Sequence, residues 1–318
     1  MSEGGTLSGP DAVVTAERIL RAALGPRLRV SFPMARMTSF RLGGPAALYV
    51  EAQSDRDLTA ASEAIRSTGI RWTIIGKGSN LLVSDAGFAG LVIRLGKGYR
   101  WVARERDRLV AGGAMPIPAL SGVALVHNLA GLEFGVAIPA SLGGAVKMNA
   151  GAHAHSMSEV LDRIDLYGIQ AGERTIVPAG DAGFSYRGSA LPKGSIVVGA
   201  TVRLRGGDPV EIRREMEDAR RWRRATQPLA EPNCGSVFKN PEGDHAARLV
   251  EAAGAKGMSV GGATVSAKHA NFIVAGPGAT AEDVRQLIRV VQDRVEERFG
   301  VSLEREVQLV GDFDLASL

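Results

Sequence analysis

The chain has 318 residues, a formal net charge of +4 from 38 Lys and Arg against 34 Asp and Glu, one cysteine and 40 glycines. A collagen is excluded because no Gly-X-Y period runs through it, and wholesale disorder because 45% of the residues are hydrophobic and the charges nearly balance. The single Cys234 cannot close an intrachain disulfide, which fits a reducing compartment, and at roughly 150 residues per domain the length suggests two or three domains.

The first residues, MSEGGTLSGPDAVV, show no basic stretch followed by an apolar run, so no signal peptide is expected. No apolar run approaches the roughly 20 residues of a membrane span, and a soluble, cytoplasmic protein is expected. After a flexible start, a helix is predicted over 11–24 and a strand over 46–52. The next helix has Ser54 as its cap, Asp57 at its third position, and Leu58, Ala61 and Ile65 as its apolar stripe. A strand at 72–75 runs into Gly76-Lys77-Gly78-Ser79-Asn80, and apolar runs at 81–83 and 91–95 complete a βαβ-like opening. From about 100 to 205, short strand-like runs (109–111, 161–167, 174–177, 196–204) are broken by the small-residue segment 131–151. Beyond 209 the pattern is helix (209–224), loop (227–243), helix (244–253), strand (269–275), helix (281–299) and a last strand (303–310). The helix over 281–299 carries the fullest signals: Thr280 with Asp283 three residues on, the face Val284, Leu287, Ile288, Val291, Val295 and Phe299, and Gly300 to end it. This order reads as α+β rather than a doubly wound sheet.

Three segments can carry chemistry. In the 76–80 loop two glycines flank one residue, so backbone N–H groups can crowd towards an anion, with Ser79 and Asn80 as further donors. Neither a Rossmann nor a P-loop fingerprint is present, and a plain strand-ending turn could use the same residues. The stretch 138–151 is nearly all small side chains around Gly143-Gly144, which suits backbone lying against a ligand or tight helix packing. Two such segments together favour a large phosphorylated cofactor. In 232–241, Ser236 follows a glycine at a loop mouth; it is not a G-x-S-x-G elbow, so a proton donor or an ordinary turn hydrogen bond suits it better than a hydrolase triad. The five histidines form no H-E-x-x-H, and no metal is expected. Arg213, Arg214, Arg220, Arg221, Arg223 and Arg224 interleave with Glu211, Glu215, Glu217 and Asp218, which predicts a solvated helix face and no nucleic-acid partner.

Taken in order, Thr38-Ser39-Phe40-Arg41-Leu42-Gly43-Gly44, the 76–80 loop, the 138–151 stretch, Tyr186-Arg187, Gly235-Ser236-Val237-Phe238-Lys239-Asn240-Pro241 and Leu303-Glu304-Arg305-Glu306-Val307 resemble the UDP-N-acetylenolpyruvoylglucosamine reductase family. The resemblance spans residues 38–311. It implies a vanillyl-alcohol-oxidase-like (PCMH-type) FAD-binding unit of two subdomains, 1–95 and 96–205, with a C-terminal strand within 301–318 returning to the first. A smaller α+β substrate-binding domain would occupy 206–300. It implies non-covalent FAD held by Gly76, Lys77, Gly78, Ser79, Asn80, Ile138, Pro139, Ser141, Gly143, Gly144, Asn149, Ala150 and Gly151.

The implied reaction is NADPH-dependent reduction of the enolpyruvyl ether of UDP-N-acetylglucosamine, in peptidoglycan synthesis, by a cytoplasmic monomer. By the same resemblance Ser236 gives the proton to C2, Arg187 stabilises the enediolate formed by hydride addition at C3, and Glu306 is its partner carboxyl. Tyr186, Asn240, Lys256 and His269 match substrate contacts. Two departures stand out: Ala137-Ile138-Pro139-Ala140 where the family usually has Gly-Ile-Pro-Gly, and His153-Ala154 where an aromatic residue followed by Gly is common. The short stretch from Arg187 to 209 matches the subtype without the extra insertion. Another FAD-dependent oxidoreductase of the same fold, acting on a sugar or hydroxy acid, is the competing expectation.

Overall fold

The computed structural model describes residues 9–313. The flexible start expected before the first helix, and the end of the expected 301–318 return, lie outside the described residues. The described chain divides into two compact units: residues 9–31, Ala47–Lys77 and Ala89–Trp222 form the first, and Phe32–Ala46, Gly78–Phe88 and residues 223–313 the second.

The first five strands are β1 (Leu28–Pro33), β2 (Pro45–Ala52), β3 (Trp72–Ile75), β4 (Leu81–Val83) and β5 (Phe88–Leu95), with helices α1 (Pro10–Leu24) and α2 (Asp55–Thr68) among them. Four strands form a sheet in the order β1-β2-β5-β3, with β3 and β5 parallel. Leu48, Val50 and Ala52, two apart on β2, share a core with Trp72, Leu91 and Ile93 and with Leu20, Leu58, Ala61 and Ile65 of the helices. Ser54 stands at the N-cap of α2, yet its hydroxyl makes no capping bond. The buried Asp57 turns back instead, accepting the Gln53 N–H and the Arg27 guanidinium, each at 2.7 Å.

The rest of the first unit is built from β6 (Val102–Glu105), β7 (Arg108–Gly112), α3 (Ile117–Val126), β8 (Leu129–Ala130), α4 (Leu142–Lys147), β9 (Gly151–Ala152), β10 (His155–Ser156), β11 (Leu161–Gly168), β12 (Glu173–Pro178), β13 (Ser195–Arg203) and β14 (Arg205–Gly206). An antiparallel sheet runs β12-β11-β13-β7-β6. Leu109, Ala111, Ile164, Leu166, Ala200 and Val202 pack with residues of α3 and α4 in one core. Sequence patterning leaves α3 unassigned because its ten residues are apolar all round, with no polar face to set a helical stripe. Helix α5 (Pro209–Thr226) lays Ile212, Met216 and Ala219 on Ala130 and Val136.

That packing draws α5 as far as Trp222 into the first unit. The compact units therefore cut the chain differently from the expected segments 1–95, 96–205 and 206–300.

In the second unit, α6 (Ala246–Ala252), β15 (Ser259–Val260), β16 (Ala263–Val265), β17 (Ile273–Ala275), α7 (Ala281–Phe299) and β18 (Gln308–Val310) surround a core of Phe238, Leu249, Val265, Ile273, Leu287, Val291 and Leu303. Strands β15, β16 and β17 form an antiparallel sheet, and β18 pairs parallel with β4, Gln308 opposite Leu81. Helix α7 has its predicted bounds and a reciprocal cap: Thr280 Oγ1 accepts the Asp283 N–H, and Asp283 accepts the Thr280 N–H, both at 3.0 Å. The Asp85 carboxylate takes the next two orphan donors, Ala281 N–H at 2.9 Å and Glu282 N–H at 3.0 Å. The strand expected over 269–275 begins only at Ile273, because the Phe272 N–H turns back to the His269 carbonyl at 3.0 Å. Likewise the last strand shortens to Gln308–Val310.

Among the described residues no helix is long and apolar enough to cross a membrane, and no cluster of His, Cys, Asp and Glu could hold a metal ion.

Candidate active site

In the second unit the chain brings Ser236 and Glu306 to neighbouring positions through backbone pairing alone. The Val237 carbonyl accepts the Glu306 N–H at 2.8 Å, Phe238 forms an isolated antiparallel bridge with Arg305, and the Lys239 N–H donates to the Glu304 carbonyl at 2.8 Å. Glu306 is held from its other side as well: Asn80 Nδ2 donates to the Glu306 carbonyl at 3.0 Å, and the Gln308 N–H to the Asn80 carbonyl at 3.1 Å. The 76–80 loop is tied to the 38–44 loop, since the Ser39 N–H reaches the Gly78 carbonyl at 3.0 Å and the Ser39 hydroxyl donates to the Asn233 carbonyl at 2.5 Å. A Cβ on Gly78 would collide with the Met37 carbonyl, and its φ of 64° is the left-handed conformation that glycine tolerates.

Ser236 is half-buried behind Gly235, whose φ is 82°. The adjacent Cys234 is fully buried; burial, with the Glu306 charge adding to it, pushes its thiol far above the usual range and leaves it a protonated packing residue. Asn271, which carries no sequence motif, closes the other edge of the Ser236 loop. Its Oδ1 accepts the Phe238 N–H at 2.9 Å, its Nδ2 donates to the Phe238 carbonyl at 2.8 Å, and its own carbonyl accepts the Val237 N–H at 2.9 Å.

Of the expected substrate contacts in this unit, Asn240 accepts the Ala246 N–H at the start of α6 (3.1 Å), and the exposed Lys256 pairs with Glu251 at 2.9 Å. His269 packs edge-on against Phe272, centroids 4.7 Å apart, and its Nδ1 accepts the Asn271 N–H at 3.2 Å. Burial, helped by the Lys256 charge, holds its pKa below the ordinary histidine value. A neutral ring with Nδ1 accepting carries its proton on Nε2, so His269 presents a single neutral donor, as an amide would.

The first unit holds Arg187, Tyr186, Gly76, Lys77 and the whole 138–151 stretch. Ser185 and Gly188 exchange backbone hydrogen bonds at 3.0 and 3.2 Å, so Tyr186 and Arg187 form the two-residue tip of a tight turn, and Arg187 adopts a φ of 56°. Three bonds fasten this turn to the end of α4: Asn149 Nδ2 to the Ser185 carbonyl at 3.0 Å, the Ser189 hydroxyl to the Lys147 carbonyl at 2.8 Å, and Lys147 Nζ to the Leu191 carbonyl at 2.9 Å. Asn149 is itself buried at φ 42°, and its Oδ1 accepts the Ser158 N–H at 2.9 Å. A Cβ on Gly151 would collide with the His155 carbonyl and lie 3.2 Å from Arg187 Nη1, so the backbone of the β9–β10 hairpin is what requires glycine there. The Arg187 guanidinium also lies 5.2 Å from the ring centroid of Tyr186, which is 54% exposed.

Gly76 meets this stretch directly, since a Cβ there would sit 2.5 Å from Ser141 Oγ. Ile138 is buried, Pro139 exposed, and Ala150 accepts the Met157 N–H at 3.0 Å. Gly143 is required by packing, because a Cβ would press on the Val197 carbonyl at 2.8 Å, whereas exposed Gly144 has only Ser141 Oγ nearby, at 3.5 Å. Neither Ala137 nor Ala140 has a positive φ, so those departures from glycine cost no backbone strain. His153 and Ala154 do, at 53° and 65°, forming the tip of the β9–β10 hairpin. Partial burial, with the charges of Arg94 and Arg100, holds the Lys77 ammonium below its ordinary pKa. Arg94, opposite Ile75 of β3, is partly offset by Glu51 at 3.9 Å; with Lys77 and Arg100 it leaves positive charge that could meet an anion beside the Gly76 loop.

Comparisons with known proteins agree with this layout. A family profile described as "FAD binding domain" matches residues 46–167, and one described as "UDP-N-acetylenolpyruvoylglucosamine reductase, C-terminal domain" matches 227–310. The chain is 45% identical over 314 residues to the UDP-N-acetylenolpyruvoylglucosamine reductase of Anaeromyxobacter sp. (strain Fw109-5), covering 99% of this chain and 98% of that one. It is 44% identical over 282 residues to the reductase of Heliobacterium modesticaldum, covering 88% and 90%. A crystal structure of UDP-N-acetylenolpyruvylglucosamine reductase from Thermus caldophilus superimposes with a TM-score of 0.77 at 33% identity, over 89% of this chain and 98% of that one.

Proposed function

The chain belongs to the UDP-N-acetylenolpyruvoylglucosamine reductase family, and we propose that Ser236, Arg187 and Glu306 divide its reaction as donor of the proton, stabiliser of the developing anion and polarising partner. The protein is an FAD-dependent oxidoreductase that reduces the enolpyruvyl ether of UDP-N-acetylglucosamine in peptidoglycan synthesis. When bound, FAD would supply the redox chemistry that carries a hydride from NADPH to C3 of the enolpyruvyl group. Gly76 and Lys77, with Ser141 and Gly144, would hold the cofactor's phosphates; the Lys77, Arg94 and Arg100 charges support that placement.

Hydride addition at C3 leaves negative charge at C2, delocalised into the carboxylate. Arg187 offers a permanent cation and a planar fork of donors to that charge. The backbone of its turn is fastened by Asn149, Lys147 and Ser189, which supports a fork that starts from a fixed base. Ser236 gives the proton that completes C2. The observation that carries this reading is the backbone pairing of Val237 with Glu306, which sets the hydroxyl-bearing residue and the carboxyl-bearing residue on adjacent, hydrogen-bonded segments. Tyr186, Asn240, Lys256 and the neutral Nε2–H of His269 are assigned to the UDP-sugar. NADPH as electron source, a cytoplasmic location and action as a monomer complete the proposal; the single buried cysteine supports the reducing compartment.

The test is an anaerobic two-step titration of the yellow protein. NADPH should bleach the flavin, and UDP-N-acetylglucosamine enolpyruvate should then restore the colour. Bleaching without recovery would assign the cofactor chemistry to some other acceptor.

A further inference from the structure

We infer that Asn271 is the positioning residue that fixes Ser236 in its proton-donating place, an inference that rests on the reading above. Asn271 is only 4% exposed and precedes β17 in a turn, where no strand partner is yet available to the 236–239 loop. Its side-chain amide takes over that partner's work. Oδ1 and Nδ2 satisfy both backbone groups of Phe238, at 2.9 and 2.8 Å, while the Asn271 carbonyl accepts the Val237 N–H at 2.9 Å. The opposite edge of the loop is taken by Glu306 and Glu304. Val237 and Phe238 are therefore clamped on two sides.

Ser236 lies one residue before the clamp and one after Gly235, which takes a φ of 82° and whose N–H is held by Asn233 Oδ1 at 2.9 Å. On the Val237 side the hydroxyl's direction is set by the Asn271 clamp. A general acid works only within hydrogen-bond reach of the atom it protonates, and a shift of about 1 Å can cost roughly 10²-fold. Asn is the side chain this geometry demands, since one atom must accept and the other donate from a short, buried stem. Leucine has a similar volume and can do neither. Aspartate keeps the acceptor for the Phe238 N–H and sets a second acceptor against the Phe238 carbonyl, unless that carboxyl is protonated and becomes the donor.

The experiment uses the FAD-loaded full chain as wild type, Asn271→Leu and Asn271→Asp, following each half-reaction by anaerobic stopped flow. In Asn271→Leu, flavin bleaching by NADPH should stay within about twofold of wild type, while reoxidation by UDP-N-acetylglucosamine enolpyruvate falls at least tenfold, inside the 10²–10⁴-fold range of general acid catalysis. Its solvent deuterium isotope effect on reoxidation should rise, because the displaced donor makes proton transfer slower. In Asn271→Asp, reoxidation should recover as pH falls, when the protonated carboxyl regains the donor to Phe238; a merely structural defect would not be rescued by acid. Hydrogen exchange at the Phe238 amide should quicken in Asn271→Leu, which has lost its acceptor, and less in Asn271→Asp, which keeps it.

Faster exchange with wild-type reoxidation would overturn the role of Asn271, and so would an equal loss of both half-reactions. A wild-type enzyme whose reduced flavin is not reoxidised by the enolpyruvyl substrate would overturn the parent reading, and this inference with it. If Asn271→Leu fails to retain FAD, the pH rescue of Asn271→Asp decides.

Discussion

Ser236 and Arg187 sit in loops whose backbones are held by side chains far away in sequence, and this separates their roles from those of the residues that hold them. Ser236→Ala should leave flavin bleaching by NADPH near wild type while reoxidation by the enolpyruvyl substrate drops about 10²–10⁴-fold; a loss under tenfold in stopped flow would remove the hydroxyl from proton donation. Arg187→Lys should fail in the same half-reaction, since a point charge cannot replace a planar fork. A second residue-scale prediction concerns the β9–β10 hairpin, where His153 and Ala154 both have positive φ. A non-glycine residue pays about 1 kcal/mol or more for that conformation. Ala154→Gly should therefore stabilise the protein by roughly 0.5–1 kcal/mol, read as a higher urea midpoint at unchanged slope.

The motif residues could be singled out from the sequence because each sits in a short run of neighbours with its own local signature. Asn271 and the Asn149–Ser185 tether were not, since a lone amide bonding across tens of residues leaves no local period or spacing to see.

At the scale of elements, legibility follows how local the determining interactions are. Helix α7 reads correctly to both ends because its cap, its apolar stripe and its αL glycine all lie within its own 21-residue neighbourhood, Thr280 to Gly300. Helix α3 hides because it is apolar on its buried and its open faces alike, Val126 being 77% exposed, and the strand predicted over 269–275 loses its first half because those residues bend to clamp the 236–239 loop. The α7 cap gives the element's own prediction. The N–H groups of Thr280 and Gly262 hold the Asp283 carboxyl below its ordinary pKa. A carboxyl with a depressed folded value contributes its stability fully above the unfolded value, about 3.9, and loses it as pH falls through the folded one. Asp283→Ala should cost about 1 kcal/mol at pH 7, and the gap from wild type should close as the pH is lowered below about 4 in urea titrations. A gap independent of pH would assign the loss to packing instead.

For the whole molecule, sheet content was legible, while the compact units divide the chain at places other than the expected borders. The expected borders near 95 and 205 follow the sheets. The units are set by the pairing of β4 with β18, more than 200 residues apart, and by the seating of α5 on Ala130 and Val136. Such long-range choices depend on which surfaces meet, and no window of sequence contains both partners. The cofactor couples to the stability of this assembly by mass action: a ligand that binds only the folded chain adds RT ln(1 + [L]/Kd), about 2.7 kcal/mol at a hundredfold excess over Kd.

FAD added to apoprotein should therefore raise the unfolding midpoint. Riboflavin, which lacks the pyrophosphate, should raise it far less if Lys77, Arg94 and Arg100 hold that anion. High salt should shrink the difference between the two ligands, since partly exposed charges are screened. The depressed pKa of Lys77 fixes the sign of the pH effect. An anion favours the protonated ammonium, so FAD affinity should weaken as pH rises through the Lys77 value, and Lys77→Met should flatten that dependence. Equal stabilisation by FAD and riboflavin, unmoved by salt, would place the binding energy in the flavin ring and leave the three cations without a part in it.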